Sequence, residues 1–539
     1  MSTLTTLAQL VQAAADALQG RALDEADRRA REVLARFGEE ANALMVLGLV
    51  RLESGDADGA VSFLERARRQ NPNHIHVLNN LGTALRLLAR YEEARAVLEN
   101  AIKLDRSFSA AHNNLGSVYL DLGRRDDARR CYARAIQEQA DNADAIANLA
   151  RLAEEEHRLK DALDLSLRAL RLVPGHHQAN LTQARVQMRE GDVVRSADGL
   201  ERLLALPDLP VNVRIVAQGH LAECREKLRQ FDKAFDAFSA ANDLQFNLHA
   251  PRFEIAAGYL SPKRIKQLFT FVGREDFHAW RALPDANLAP VFLVGFPRSG
   301  TTLLDQILSS HPHVTTLEER DTLFDVCRVM MPAGGSFDFW RDLAEHDVER
   351  MRSIYWAGVE SALGGVSKRK VFIDKLPMNA VLLPLIYRLF PAARIVLALR
   401  DPRDVVLSCF QQRFELNEAM FQLLRLGSAA GYYGQVMGLV QTCRERVPLS
   451  LHAIKYEDVV SDFDATVRGL LGFLGLDWNN NVRNFSQTAR ERVVNTPSAT
   501  QVVQPLYTTS VGKWRNYKAQ MAETLPVLAP WVATFGYEP

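Results

Sequence analysis

Two hydrophobic patterns divide this chain. In the first half, small and apolar residues recur at an interval of 34 residues. Leu47-Gly48 is followed at that interval by Leu81-Gly82, Leu115-Gly116 and Leu149-Ala150. Ala60, Ala94, Ala128 and Ala162 hold a second phase, and Ala67, Ala101, Ala135 and Ala169 a third. Pro72 and Pro174 close two of the units. The segment ending in "ARFGEE" reads as a degenerate first unit. "HLAECREKLRQFDKAFDAFSAAND" reads as a last one, with Ala222, Ala234 and Ala241 in phase after an insertion around Pro207 to Pro210. In the second half the rhythm changes. The apolar run Val291 to Val294 predicts a strand, "GFPRSGTT" a glycine turn, and Leu303, Leu304, Ile307 and Leu308 the stripe of a helix. "RIVLAL", Arg394 to Leu399, predicts a second strand, followed by a helix after "DPRD". Between the halves, Ser261 as N-cap and Pro262 at the first helical position start a helix. "ALPDANLAP" reads as linker.

The 34-residue period with small residues at these phases resembles tetratricopeptide repeats, whose helix pairs pack through such positions. The resemblance implies a superhelix of about six to seven antiparallel helix pairs over residues 1–245. Asn79, Asn80, Asn113, Asn114 and Asn148 fall on the first helix of successive units. In such arrays this position lines a groove and bonds the backbone of a bound protein or peptide; the alternative is a polar face bonding only water. A helical linker is expected over 246–289 and a second domain over 290–539.

Composition narrows the function. Lys plus Arg number 65 and Asp plus Glu 65, so nothing global favours a nucleic-acid partner. No basic flank precedes an apolar core at the N-terminus, and no run of 18 apolar residues exists, so neither a secretory signal nor a spanning helix is expected. The five cysteines form no C-x-x-C pair, which suggests a reducing, cytoplasmic setting without structural zinc. His311 and His313 in "HPHV" fit a turn better than a metal site, and no metal is expected.

The turn "GFPRSGTT" has the glycine spacing of a nucleotide-hydrolase phosphate loop, but Thr301 stands where that loop carries Lys. It still wraps a helix N-terminus, where free N–H groups and the helix dipole favour an anion. Ser299, Thr301 and Thr302 add hydroxyls, and Arg298 a guanidinium suited to phosphate or sulfate oxygens. Arg400 at the second strand's end, with Ser408 two turns into the next helix, suits a second phosphate.

These residues carry a family resemblance. "GFPRSGTT" resembles the 5′-phosphosulfate loop of sulfotransferases, "LALRDPRDVVLS" their 3′-phosphate motif, "IKYEDVV" their Y-E-D segment and "SVGKWRNY" their K-W element. Within that family "PRSGTTLLDQILSSHPHVTTLEE", "DKLP" and "SATQVVQP" are similar to tyrosylprotein sulfotransferases. The resemblance implies an α/β domain of P-loop type with a parallel sheet, using 3′-phosphoadenosine 5′-phosphosulfate (PAPS) as donor. Carried over residue by residue, it makes Arg298 and Glu319 catalytic, with Lys375 and Ser498 stabilising the transition state. Arg298, Ser299, Gly300, Thr301, Thr302, Arg400, Ser408, Tyr456 and Lys513 then bind the cofactor. The family's arginine four residues after the serine falls on Gln412 here, with Arg413 adjacent. The family's N-terminal anchor and its cysteines near the catalytic groups are not found either.

Sulfuryl transfer builds charge on the leaving phosphate's oxygen, which Arg298, Lys375 and loop amides can meet. The acceptor hydroxyl, a phenol of pKa about 10 if it is tyrosine, needs a base. No histidine follows Lys375 closely, which turns attention to Glu319, with Glu318 the other carboxylate in reach. The expected activity is sulfuryl transfer to protein tyrosine, with the repeats aiding acceptor or partner binding. The alternatives are a small-molecule, saccharide or lipid acceptor, or an inactive nucleotide-binding scaffold. A homodimer is compatible with either.

Overall fold

The computed structural model describes residues 6–256, 258–280, 289–330, 335–365, 370–486 and 510–539. They fall into two compact units, Met1–Val213 and Arg214–Pro539.

The first unit is built from helix pairs. Examples are Ala41–Glu53 with Ala57–Gln70, Ile75–Leu87 with Tyr91–Leu104, and Ser109–Asp121 with Arg125–Glu138. The repeating glycine has a packing reason. A Cβ on Gly48 would stand 2.6 Å from Leu64 Cγ, and one on Gly82 2.5 Å from Leu98 Cγ. The two helices of a unit therefore approach closely only without a side chain there. Ala60, Ala94, Ala128 and Ala162 are fully buried.

The turn inside each pair repeats as well. Arg21, Gly55, Ala89, Gly123, His157 and Gly191 all lie in the left-handed region, with φ between 57° and 88°. After each, the next N–H closes the helix end, as Arg90 N–H does on Leu85 O at 3.0 Å and Arg124 N–H on Tyr119 O at 2.8 Å. The asparagine ladder bonds itself. Asn114 Nδ2 donates to Asn79 Oδ1 and Asn148 Nδ2 to Asn113 Oδ1, both at 2.9 Å. Through these bonds one unit ties to the next.

The second unit opens with the pair Val211–Lys227 and Phe231–Phe253, which the repeat pattern assigns to the array. Ala222, Ala234, Ala237 and Phe238 join the core that also holds Phe410 and Tyr517. Phe235 stacks on Phe410 at 5.2 Å, and Asn242 Nδ2 donates to Phe410 O at 2.8 Å. The division by packing therefore lies upstream of residue 245. The helix Pro262–Arg274 forms with Ser261 as its cap and buries Ile265, Leu268 and Phe271 in the same core.

Five parallel strands follow: β1 (Val291–Gly295), β2 (Val314–Glu318), β3 (Val371–Lys375), β4 (Arg394–Leu399) and β5 (Ser450–Lys455). Their order is β2-β3-β1-β4-β5. Phe292 and Val294 face a layer that includes Tyr355, Ile386 and Val436, whereas Val291 and Leu293 face Leu304, Ile307 and Val467. Both faces are covered, which is why β1 reads as a continuous apolar run. The chain winds to one side of β1 through β2 and β3, then to the other through β4 and β5. This reversal leaves a crevice at the strands' carboxyl ends.

Candidate active site

The carboxyl ends of β1, β3, β2 and β4 bring the expected groups together. β1 runs into the loop Phe296–Gly300, where Arg298 has φ 68° and Gly300 φ 98°. The helix Thr301–Ser309 then starts with no side-chain cap, so its first N–H groups are open to a ligand. Gly300 is needed here twice over. Its φ is left-handed, and a Cβ would press on Tyr456 Cδ2 at 3.0 Å. The Ser299 hydroxyl is buried and has no hydrogen-bond partner among the described residues. Thr301 and Thr302 are buried beside it.

Arg298 Nε donates to Ser408 Oγ at 3.0 Å, so the first and second anion sites meet. Arg400 donates to Arg298 O at 3.3 Å and to Ser510 O at 2.6 Å, and its guanidinium lies 5.0 Å from the centre of the Tyr456 ring. Its Nε is buried with no partner among the described residues. Tyr456 Oη and Ser510 Oγ are 2.8 Å apart. Buried polar atoms with open valences cost stability unless something meets them.

On the other side of β1, Lys375 ends β3 and Glu318 ends β2. The Lys375 side chain is 0% exposed; its Nζ reaches Glu319 Oε1 at 2.8 Å and Glu318 Oε1 at 3.2 Å. Glu319 also sits in the left-handed region, at φ 46°, with its N–H held by Lys375 O at 2.8 Å. Such a backbone costs about 1–3 kcal/mol in a residue other than glycine and persists where its surroundings impose it. A cleft of about 670 Å³ opens here; Arg298, Thr301, Thr302 and Glu319 line it, and Glu318 does not.

Ser498 lies outside the described residues. Lys513 Nζ is bound to Glu226 Oε2 and to Gln411 Oε1, both at 2.8 Å, and meets none of the other nominated side chains through those bonds. Tyr517 Oη donates to the same glutamate at 2.6 Å. Gln412 Nε2, at the position where the family carries its further arginine, donates to the neighbouring Arg413 O at 3.3 Å. His311 Nε2 contacts Asp477 O at 3.0 Å and shapes a turn.

Three supporting residues were not foreseen. Asp404 is buried, which pushes its carboxyl above the usual range, and it accepts from Gly512 N–H at 2.6 Å and Trp514 N–H at 2.8 Å. It pins the K-W segment to the helix that carries Ser408. Asp374, beside Lys375, is wholly buried, and burial pushes its carboxyl up to about 6. Thr322 Oγ1 and Tyr355 Oη both donate to it at 2.9 Å. Glu226 comes from a helix that the repeat pattern places in another domain; no local signal in the sequence marks it.

Residues 290–480 match the model of the Sulfotransferase family, and residues 39–107 and 85–152 match Tetratricopeptide repeat models. The chain is 27% identical over 343 residues to an uncharacterized protein of Aquifex aeolicus (strain VF5), covering 61% of this chain and 43% of that one. It thus spans less than half the length of that relative. It is 26% identical over 261 residues to Protein-tyrosine sulfotransferase 1 of Danio rerio, covering 46% of this chain and 72% of the other. To Protein-tyrosine sulfotransferase A of Caenorhabditis elegans it is 24% identical over 261 residues, covering 46% and 67%.

Proposed function

This chain joins tetratricopeptide repeats to a sulfotransferase-family domain, and from that premise we propose that it transfers a sulfuryl group from PAPS to an acceptor hydroxyl, with a phenol, as in tyrosine, the favoured acceptor. The observation that carries the reading is the convergence of Arg298, Glu319 and Lys375 on one edge of the sheet, beside a cleft that only Arg298 and Glu319 of the three line.

The residues suit the donor. The loop from Ser299 to Thr302 offers uncapped N–H groups and the unpartnered Ser299 hydroxyl to a 5′-phosphosulfate. Arg400 and Ser408 offer a guanidinium and a hydroxyl to a 3′-phosphate, and Tyr456 gives a ring beside them. PAPS, when bound, supplies the sulfuryl group and a phosphate leaving group. The acceptor oxygen bonds to sulfur as the bridging S–O bond breaks, and its proton passes to Glu319 Oε. Arg298 and Lys375 meet the charge left on the departing oxygen, held in place by Ser408 and by the two glutamates. Glu319 is favoured over Glu318 as the base because it reaches the cleft wall. The role of Ser498 rests on resemblance alone.

The repeats are assigned to acceptor or partner binding, and the five cysteines, all free, support a reducing cytoplasmic compartment. Among the described residues no helix is long and apolar enough to cross a membrane.

The test is a thermal shift with PAP, the desulfated product, against AMP. A ligand at 100 times its Kd adds about 2.7 kcal/mol. PAP is expected to shift the melting point well beyond AMP; equal shifts would remove the 3′-phosphate site. Incubation with PAPS and phenolic acceptors should then add one sulfuryl mass to the acceptor.

A further inference from the structure

The cleft next to Glu319 has a chemistry of its own. Its apolar lining includes Phe324, Met378, Phe414 and Met420. Its charged lining is Glu319, Asp321, Glu415, Glu418, Arg298 and Arg328, and Glu319 is already paired with Lys375 at 2.8 Å. Arg298 is committed to Ser408 on the donor side. Arg328 is paired with Asp325 at 2.7 Å and Asp321 at 3.7 Å. Glu415 and Glu418 are left without an ion pair among the described residues. Glu418 is built in rather than dangling. It stands in the first turn of the helix Glu418–Gln422, capped by Asn417, and its carboxylate fills the place where a Cβ on Gly258 would lie. Any larger residue at 258 would displace it.

We infer that the acceptor is a cationic phenol: a hydroxyl-bearing aromatic ring with a positive charge close by, the ring on the apolar lining and the cation toward Glu415 and Glu418. The inference rests on the sulfuryl-transfer reading of the same site and adds the acceptor's charge. A ring of this kind comes from a free arylamine or from a tyrosine flanked by lysines, and the cleft volume of about 670 Å³ accommodates either within the usual range of about 300–1,000 Å³ for ligand pockets. An acidic acceptor would bring like charge to two carboxylates that have no ion pair among the described residues. Charge complementarity of this sort sets specificity and encounter rate more than raw affinity, and it weakens with salt.

The experiment compares kcat/KM of the full chain, with PAPS, on three peptides of one length whose single tyrosine is flanked by Lys, Gln or Glu. Tyramine and hydroxyphenylpropionate form a second, small-molecule pair. Two partly exposed ion pairs together amount to roughly tenfold, so the Lys peptide is expected about tenfold above the Gln peptide, and the Glu peptide below both. Tyramine should exceed hydroxyphenylpropionate in the same sense. In the double variant Glu415→Gln, Glu418→Gln the order should flatten. The larger of the two effects, peptide or small molecule, identifies the source of the ring. Preference for the Glu peptide, no charge dependence, or an order unchanged in the double variant overturns the inference and leaves sulfuryl transfer standing. No sulfation of any of the five, with PAP still bound, overturns the function and the inference together.

Discussion

Glu319→Gln separates the base from the scaffold around it. Glutamine keeps the length of the side chain and the same left-handed backbone demand at φ 46°. Its amide oxygen can still accept from Lys375 Nζ, where Glu319 Oε1 now sits at 2.8 Å. Lys375 also keeps Glu318 at 3.2 Å, so its buried charge stays paired. The stability cost is therefore that of weakening one charged hydrogen bond on a side chain that is 33% exposed, about 1 kcal/mol or less. The kinetic cost is far larger. Losing a general base slows proton transfer by about 10²- to 10⁴-fold, or roughly 3–5 kcal/mol of barrier. The assay is single-turnover sulfuryl transfer to a phenolic acceptor, with PAP affinity and melting temperature measured on the same preparations. The expected result is a slow enzyme with nearly unchanged PAP affinity and melting point. Glu318→Gln should be the milder variant. If Glu319→Gln keeps wild-type turnover while Glu318→Gln loses it, the base is Glu318. If PAP affinity falls in step with turnover, the side chain acts on the donor and the assignment fails.

Three further outcomes follow from the geometry. A fragment of residues 214–539 should melt cooperatively and bind PAP. One starting at 250 should lose several kcal/mol, since it strips Phe231, Phe235 and buried Phe238 from the core at about 1.5–3 kcal/mol per buried aromatic; equal melting points would disprove that role. Asp374 binds protons more tightly folded, at about 6, than its ordinary 3.8, so its burial costs nothing below pH 4, increasingly more from pH 4 to 6, and up to about 3 kcal/mol above that. Asp374→Asn should therefore gain stability over wild type as pH rises through that window, and parallel pH profiles would contradict it. Glu226→Gln, by freeing Lys513, should raise PAP affinity about fivefold, or about 1 kcal/mol; a fall would mean that Lys513 works where Glu226 holds it.

What the sequence discloses depends on whether a contact leaves a local mark. The helix pairs were legible because close packing demands a residue without bulk at Gly48, Gly82 and Gly116. The left-handed turn was not, because Arg21, Ala89 and His157 fill it in alternate units and hide the period that Gly55, Gly123 and Gly191 would show. At the site, Arg298, Ser408, Arg400 and Lys375 all belong to strand ends or to the first turns after them, where a motif is compact. Lys513 was equally visible as a residue, yet its partner Glu226 lies 287 positions away and belongs by pattern to the repeats. Asp374 carries no motif of its own, and only the packed sheet shows that it, like Lys375, is sealed from water.

The evenly spaced left-handed turns have a consequence for how this chain can change in length. Each hairpin closes on its own main chain, by a bond such as Arg90 N–H to Leu85 O or Arg124 N–H to Tyr119 O, so the closing bond uses no side chain. Ala89 and Gly123 both serve as hinges, Ala89 at a backbone cost of about 1–2 kcal/mol that glycine is spared. Removing the 34 residues from 89 to 122 would splice the Gly123 bend onto the helix that ends at Leu87, and a copied unit could be inserted at the same joint. Array length is in this sense adjustable in whole steps, a genetic dial set apart from the chemistry at the sheet's edge.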